Sequence, residues 1–264
     1  MELHFQTEGR GDPLIILHGL LGSLDNWRTV SGQLAGHCQV VAVDLRNHGL
    51  SPHSPEMDYA LMAEDLGELL DRLGFARVGL LGHSMGGKVA MEFALSHPGR
   101  VERIIVADIA PRAYPPHHGP IFEALLAVDL AAASTRQQVE AALAPSLLDR
   151  ALRQFLLKGL TRRPDGVLAW KFNLGAIRDH YEKLCAALPE GRLCPAPALF
   201  LRGGASDYVR DEDIDPIHRA FPQARFRTLP SAGHWLHVEA AGEFIQLVLE
   251  ELQAAATPRL DAKP

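Results

Sequence analysis

The segment Gly82-His83-Ser84-Met85-Gly86 sets one hydroxyl between two glycines, in the pattern Gly-x-Ser-x-Gly. An aliphatic run, Val78–Leu81, precedes it, and an apolar-periodic helix with Val89, Ala90, Phe93 and Ala94 follows. In that setting the motif describes a nucleophile at a cramped strand-to-helix turn, where positions two before and two after must lack bulk. The helix behind Ser84 favours negative charge developing at its N-terminus. A serine hydroxyl is a weak nucleophile at neutral pH and needs an imidazole to take its proton. Of the thirteen histidines, His234 in Ser231-Ala232-Gly233-His234-Trp235-Leu236 stands late in the chain, after the apolar run Ala224–Leu229 and before the last helical pattern. It is the expected base.

Two aspartates end aliphatic runs where a carboxylate would orient that imidazole. Asp108 follows Ile104–Ala107, and Asp207 follows Ala198–Leu201 in Gly204-Ala205-Ser206-Asp207. Acyl transfer also calls for two backbone N–H groups aimed at the oxyanion. Met85, directly after the nucleophile, is one candidate. Leu20, in His18-Gly19-Leu20-Leu21-Gly22, is the other.

Other histidines have plainer roles. His18 and His83 flank motif positions and are expected to bond backbone, His237 to start a helix or pack, and His117 and His118 to be solvated. His234-x-x-His237 has no third metal ligand, so no metal and no cofactor is expected. Gly82-x4-Gly87-Lys88 also resembles the start of a phosphate-binding loop, but the hydroxyl that loop needs after its lysine is replaced by Val89.

The elements that must carry these residues follow from hydrophobic periodicity. Leu14–Leu17, Val40–Val43, Val78–Leu81 and Ile104–Ala107 are short aliphatic runs of buried-strand type, and Tyr59–Leu73 carries a helical stripe. Alternation of this kind predicts an α/β fold with a mostly parallel central sheet and helices on both faces. After residue 110 the rhythm breaks. Residues 111–195 show no comparable β run and predict helices over Phe122–Val128, Arg136–Leu143, Leu147–Leu157 and Val167–Leu184. Strand Ala198–Leu201, helix Asp211–Phe221, strand Ala224–Leu229 and helix Glu239–Leu252 then complete the pattern. The expected organisation is a core from residues 1–110 and 196–264, a helical lid over 111–195, and a flexible tail at 254–264. Phe122, Leu125, Leu126, Phe155, Trp170 and Phe172 are candidates either for an acyl pocket or for packing within the lid.

Composition bounds the partners. The chain has 264 residues, 47% hydrophobic and 22% charged, with a net charge of −6. That is ordinary for a globular protein and opposite to the basic surplus of nucleic-acid binders. Cys38, Cys185 and Cys194 form no pairing motif and suit free thiols in a reducing compartment. No secretion signal or run of about 20 apolar residues appears, so a cytoplasmic protein without membrane or nucleic-acid partners is expected.

Taken together, Leu17-His18-Gly19, Asp44-Leu45-Arg46-Asn47-His48-Gly49-x-Ser51, the Ser84 motif and Ala232-Gly233-His234 resemble the α/β-hydrolase superfamily in its own order, from end to end. Lys88, Asp108-Ile109-Ala110-Pro111 and Trp170-Lys171-Phe172-Asn173-Leu174 are similar to a narrower group of small bacterial esterases with mitochondrial relatives. That resemblance implies Asp108 as the triad acid, with Asp207 the alternative. It implies structural roles for Asp44 and Arg46. Lys88, at the start of the helix after Ser84, is expected to form a local salt bridge or to attract an anionic acyl-carrier group. The expected function is hydrolysis of small acyl esters, or acyl thioesters, through an acyl-enzyme on Ser84. A carbon–carbon bond hydrolase or lactonase with the same triad, and a non-turnover small-molecule receptor, are the alternatives. Dehalogenase and epoxide hydrolase chemistry would need aspartate where Ser84 stands.

Overall fold

The computed structural model describes residues 1–254. The chain runs β1 (Phe5–Glu8), β2 (Pro13–Leu17), a 3-10 turn Leu24–Trp27 into α1 (Arg28–Leu34), β3 (Gln39–Val43), α2 (Tyr59–Leu73), β4 (Val78–His83), α3 (Met85–Ser96) and β5 (Val101–Ala107). Next come α4 (Gly119–Ala127), α5 (Arg136–Leu143), α6 (Arg150–Lys158), the hairpin β6 (Leu160–Arg162) and β7 (Leu168–Trp170), α7 (Leu174–Asp179) and α8 (Tyr181–Cys185). It closes with β8 (Ala198–Gly203), α9 (Ile214–Ala220), β9 (Ala224–Leu229), α10 (Leu236–Glu239) and α11 (Ala241–Ala254).

The main sheet has the order β1-β3-β2-β4-β5-β8-β9. Only β1 is antiparallel, pairing Phe5 with Val43; the other pairings are parallel. β2 shows the two-residue alternation of a strand covered on both faces. Leu14 and Ile16 pack with Trp27 and Phe244 on the face of α1 and α11, while Ile15 and Leu17 pack with Leu66 and Phe93 on the face of α2 and α3. α2 starts where the Asp58 carboxylate accepts the Leu61 N–H, and ends at Gly74 with φ 71°. The chain leaves β2 toward β3 on one side, then crosses back to β4 on the other. This reversal opens a crevice at the carboxyl ends of β2 and β4.

Several expectations need correction. β1 was not foreseen, because Phe5–Glu8 carries one apolar residue and lies at the sheet edge, where burial leaves little pattern. Val167–Leu184 is not one helix: β7 and the turn capped by Asn173 interrupt it, the Asn173 side chain accepting the Ala176 N–H. The segment between β5 and β8 therefore contains a β-hairpin besides helices. Of the expected tail 254–264, Ala254 closes α11 and the rest lies outside the described residues. All three cysteines are free. Among the described residues no helix is long and apolar enough to cross a membrane.

Candidate active site

Ser84 is held at the end of β4 by close backbone contact on both sides. A Cβ on Gly82 would lie 2.2 Å from the Gly86 carbonyl oxygen, and one on Gly86 would lie 2.3 Å from that of Leu17. Only glycine fits either position, so β2, β4 and α3 approach to the limit. Ser84 itself takes φ 52° and ψ −119°, a strained setting for a residue with a Cβ, and its N–H is fixed on the Ala107 carbonyl at 3.0 Å. The side chain is thereby pushed into the crevice.

The loop after β9 brings His234 across from Ser84. Ser84 Oγ lies 3.0 Å from His234 Nε2, and His234 Nδ1 donates to Asp108 Oδ2 at 2.8 Å. Asp108 is fully buried at the end of β5, yet its carboxylate is saturated with donors: the Gly203 N–H at 3.0 Å, the Ser206 hydroxyl, and His234. Three donors hold this carboxylate in one orientation, so His234 donates through Nδ1 and presents Nε2 as the acceptor toward Ser84. Asp207 stands apart. Its side chain is exposed and makes no hydrogen bond or ion pair among the described residues, and only its carbonyl is used, by Arg112 and Arg210.

Leu20 and Met85 flank Ser84 along the crevice. Met85 is the first residue of α3, so its N–H has no carbonyl within the helix to bond. The Leu20 N–H likewise has no protein partner among the described residues. The loop bearing Leu20 is anchored by imidazoles. The Leu21 N–H donates to His48 Nε2 at 3.1 Å, and the Leu45 N–H donates to His18 Nε2 at 3.0 Å. The Nδ1 atoms of both rings donate to the carbonyls of Arg46 and Gly19 respectively. Each ring is thus neutral and used at both nitrogens, and burial holds both below the ordinary histidine range, His48 at about 3. Asp44 accepts the Leu24 and Leu50 N–H groups, and Arg46 forks onto Asp65, as the structural reading of that loop requires.

Two expectations fail, the local salt bridge for Lys88 and the solvation of His118, while His117 is exposed as expected. Lys88 makes no salt bridge among the described residues. Its Nζ donates to the carbonyls of Arg112 at 2.8 Å and Ala186 at 2.5 Å and lies over the rings of Tyr114 and Tyr59. Burial lowers it to about 8. His118 is not solvated: its ring contacts the Tyr181 hydroxyl, faces Ser84 across the cavity, and is lowered by burial to about 3. His117, although exposed, bonds the Tyr208 hydroxyl through Nε2 at 2.9 Å. His83 Nε2 donates to the His234 carbonyl, and His237 stacks on Trp27 at 4.4 Å, both as expected. Of the six apolar candidates between β5 and β8, only Phe155 lines the cavity. Phe122, Leu125 and Phe172 are buried among the segment's own helices, Trp170 stacks on Phe172, and Leu126 is half exposed.

Sequence spacing gave no signal for Ser206 or Tyr208. The Tyr208 ring stacks on His234 with centroids 3.9 Å apart and planes 18° from parallel. Together with Asp108 it leaves the imidazole one orientation.

A strand-order reversal with a serine, a histidine and an aspartate at its carboxyl edge defines a class of α/β enzyme, and similarity to known proteins agrees. The chain matches the alpha/beta hydrolase fold family over residues 12–241 and belongs to it. It is 38% identical over 256 residues to the sn-1-specific diacylglycerol lipase ABHD11 of Danio rerio, covering 93% of this chain and 80% of the relative. It is 38% identical over 238 residues to Esterase YbfF of Escherichia coli (strain K12), covering 89% and 90%. A solved structure described as a marine microorganism esterase superimposes with a TM-score of 0.91 at 44% identity, over 94% of this chain and 98% of that one.

Proposed function

We propose that the protein is a serine hydrolase that cleaves carboxylic esters through an acyl-enzyme on Ser84. The observation that carries this reading is the pair of hydrogen bonds linking Ser84 Oγ to His234 Nε2 at 3.0 Å and His234 Nδ1 to Asp108 Oδ2 at 2.8 Å. Ester chemistry is supported by the esterase and lipase names of relatives at 38% identity.

The steps follow from the geometry. Ser84 Oγ attacks the carbonyl carbon as its proton passes to His234 Nε2, and the resulting imidazolium is stabilised by Asp108. The tetrahedral oxyanion is held by the N–H groups of Leu20 and Met85. His234 then gives its proton to the departing alcohol or thiol. Water, deprotonated by the same nitrogen, attacks the acyl carbonyl and frees Ser84. No metal or cofactor takes part in this scheme. Residues 111–195 act as a lid, with Ile121, Leu152, Phe155 and Leu156 covering Ser84.

Hydrolysis of nitrophenyl butyrate tests the proposal. Wild-type protein releases nitrophenol, and Ser84→Ala and His234→Ala reduce release to the uncatalysed background. Undiminished turnover by Ser84→Ala would overturn it.

A further inference from the structure

Two compartments meet at Ser84, and their walls differ. The first, of about 70 Å³, is walled by Trp27, Phe155 and Trp235 and by the side chains of Asn26, His83 and His237, with His234 at its edge and no charged amine or carboxylate. The second, of about 50 Å³, contains Lys88 and Tyr59, Tyr114, Tyr181 and Tyr208, which are all four tyrosines of the chain.

Proton transfer assigns them. The leaving oxygen of an ester must come within hydrogen-bond reach of His234 Nε2. His234 borders the first compartment and not the second. The alcohol therefore departs through the first compartment, and the acyl group faces the tyrosine wall.

On that wall Lys88 is a buried cation with no carboxylate in ion-pair distance among the described residues. Such a charge ordinarily carries a counter-ion, because an unpaired buried ammonium is costly. Two of its three N–H bonds go to the carbonyls of Arg112 and Ala186, leaving one donor. The tyrosine hydroxyls are already engaged: Tyr59 on Leu184 O, Tyr114 on Tyr208 O, Tyr208 with His117 and Tyr181 with His118. With those hydroxyls taken, the charged donor on this wall is Lys88 Nζ, beside the His118 ring. Ser84 and Lys88 line the same small cavity, so an acyl chain held on Ser84 faces the ammonium, and a short chain ending in a carboxylate suits a space of about 50 Å³.

We propose that the second compartment receives an acyl chain ending in a carboxylate, paired with Lys88, so that the preferred substrates are monoesters of short dicarboxylic acids. Hydrolysis consumes one water and yields the free dicarboxylate and the alcohol. With its amine at about 8, Lys88 is charged at neutral pH. The proposal rests on the serine-esterase reading above.

The test compares kcat/KM for benzyl hydrogen succinate, for benzyl pentanoate of similar length, and for an ester bearing its carboxylate on the alcohol. Wild type is expected to prefer the succinate to both others. Lys88→Met lowers the succinate-to-pentanoate ratio by about tenfold or more, the worth of one hydrogen bond between charged groups, and Lys88→Arg restores part of it. A wild-type preference for the pentanoate or for the alcohol-side carboxylate overturns the proposal. So does an equal fall on succinate and pentanoate in Lys88→Met, which would reduce Lys88 to a clip between the chain at Arg112 and at Ala186. Failure to turn over any of the three would instead indict the serine-esterase reading.

Discussion

Ser84 and Asp108 leave adjacent parallel strands with the same positive φ of 52°. Their N–H groups complete the ladder, Ser84 on the Ala107 carbonyl at 3.0 Å and Asp108 on that of Leu201 at 2.8 Å. Two left-handed residues at neighbouring strand ends turn two side chains toward one imidazole. The sheet itself sets the spacing, which is why His234 can arrive on a loop and still be held at both nitrogens.

The choice of acid is the sharpest consequence. Asp108→Asn removes the acceptor that fixes the His234 tautomer, and kcat is expected to fall on the order of 10³- to 10⁴-fold. Asp207→Asn should remain within about twofold of wild type, since that carboxylate faces solvent. Steady-state kinetics on nitrophenyl butyrate with both variants decides between them.

The face of His234 offers a second test. Tyr208 stacks on the ring that would become an imidazolium in the proposed mechanism, and contact of a cation with an aromatic face is worth about 0.5–2 kcal/mol. Tyr208→Ala is expected to lower kcat by roughly three- to thirtyfold with little change in thermal midpoint, whereas Tyr208→Phe keeps the stack and most of the rate. Equal rates for the alanine variant and wild type would remove Tyr208 from the account.

Close packing at the elbow makes a stability prediction. A methyl on Gly86 has nowhere to go between α3 and the Leu17 and His18 carbonyls. Gly86→Ala is expected to cost about 3 kcal/mol or more, because backbone rather than a side chain must yield. Urea unfolding of the variant measures it, and a midpoint equal to wild type contradicts the geometry.

Acid lability follows from buried neutral histidines. Burial lowers His48, His118 and His237 to about 3 and also lowers His18 and His83, while the unfolded chain titrates them near 6.5. Between those values the unfolded state binds more protons, so stability rises with pH. Their contribution is complete above about pH 6.5 and is lost as the pH falls toward 3, each buried ring adding up to about 1.4 kcal/mol per pH unit. Protonating His18 or His48 also removes the acceptor that anchors Leu45 or Leu21, so the Leu20 loop should loosen first. Thermal midpoints from pH 7 to pH 4 are expected to fall steeply, and a flat profile would contradict these burials.

The parts of the molecule legible in the sequence are those where one local rule decides. Compact aliphatic runs mark β2, β3, β4, β5 and β8, because both sheet faces are covered and the middle of each strand is apolar. The crowding at Gly82 and Gly86 is written as glycine, and the motif order of the resembled superfamily singles out His234 among thirteen histidines. Spacing left the acid open between Asp108 and Asp207, since both end aliphatic runs, and only the resemblance to small esterases favoured the one that touches His234. Lys88, His118 and Tyr208 were illegible for another reason. Their surroundings come from the segment between β5 and β8 and from the loop after β8, whose packing has no periodicity to read. Tyr181 reaches His118 across 63 positions, and Ala186 reaches Lys88 across 98.

The central claim is that Ser84 becomes acylated during turnover. Intact-mass analysis after brief exposure to a fluorophosphonate, followed by peptide mapping, tests it most directly. One phosphonyl group on Ser84, with activity lost in step and no labelling of Ser84→Ala or of protein unfolded in urea, is the predicted result. An unmodified Ser84 in protein that still hydrolyses esters would contradict the account.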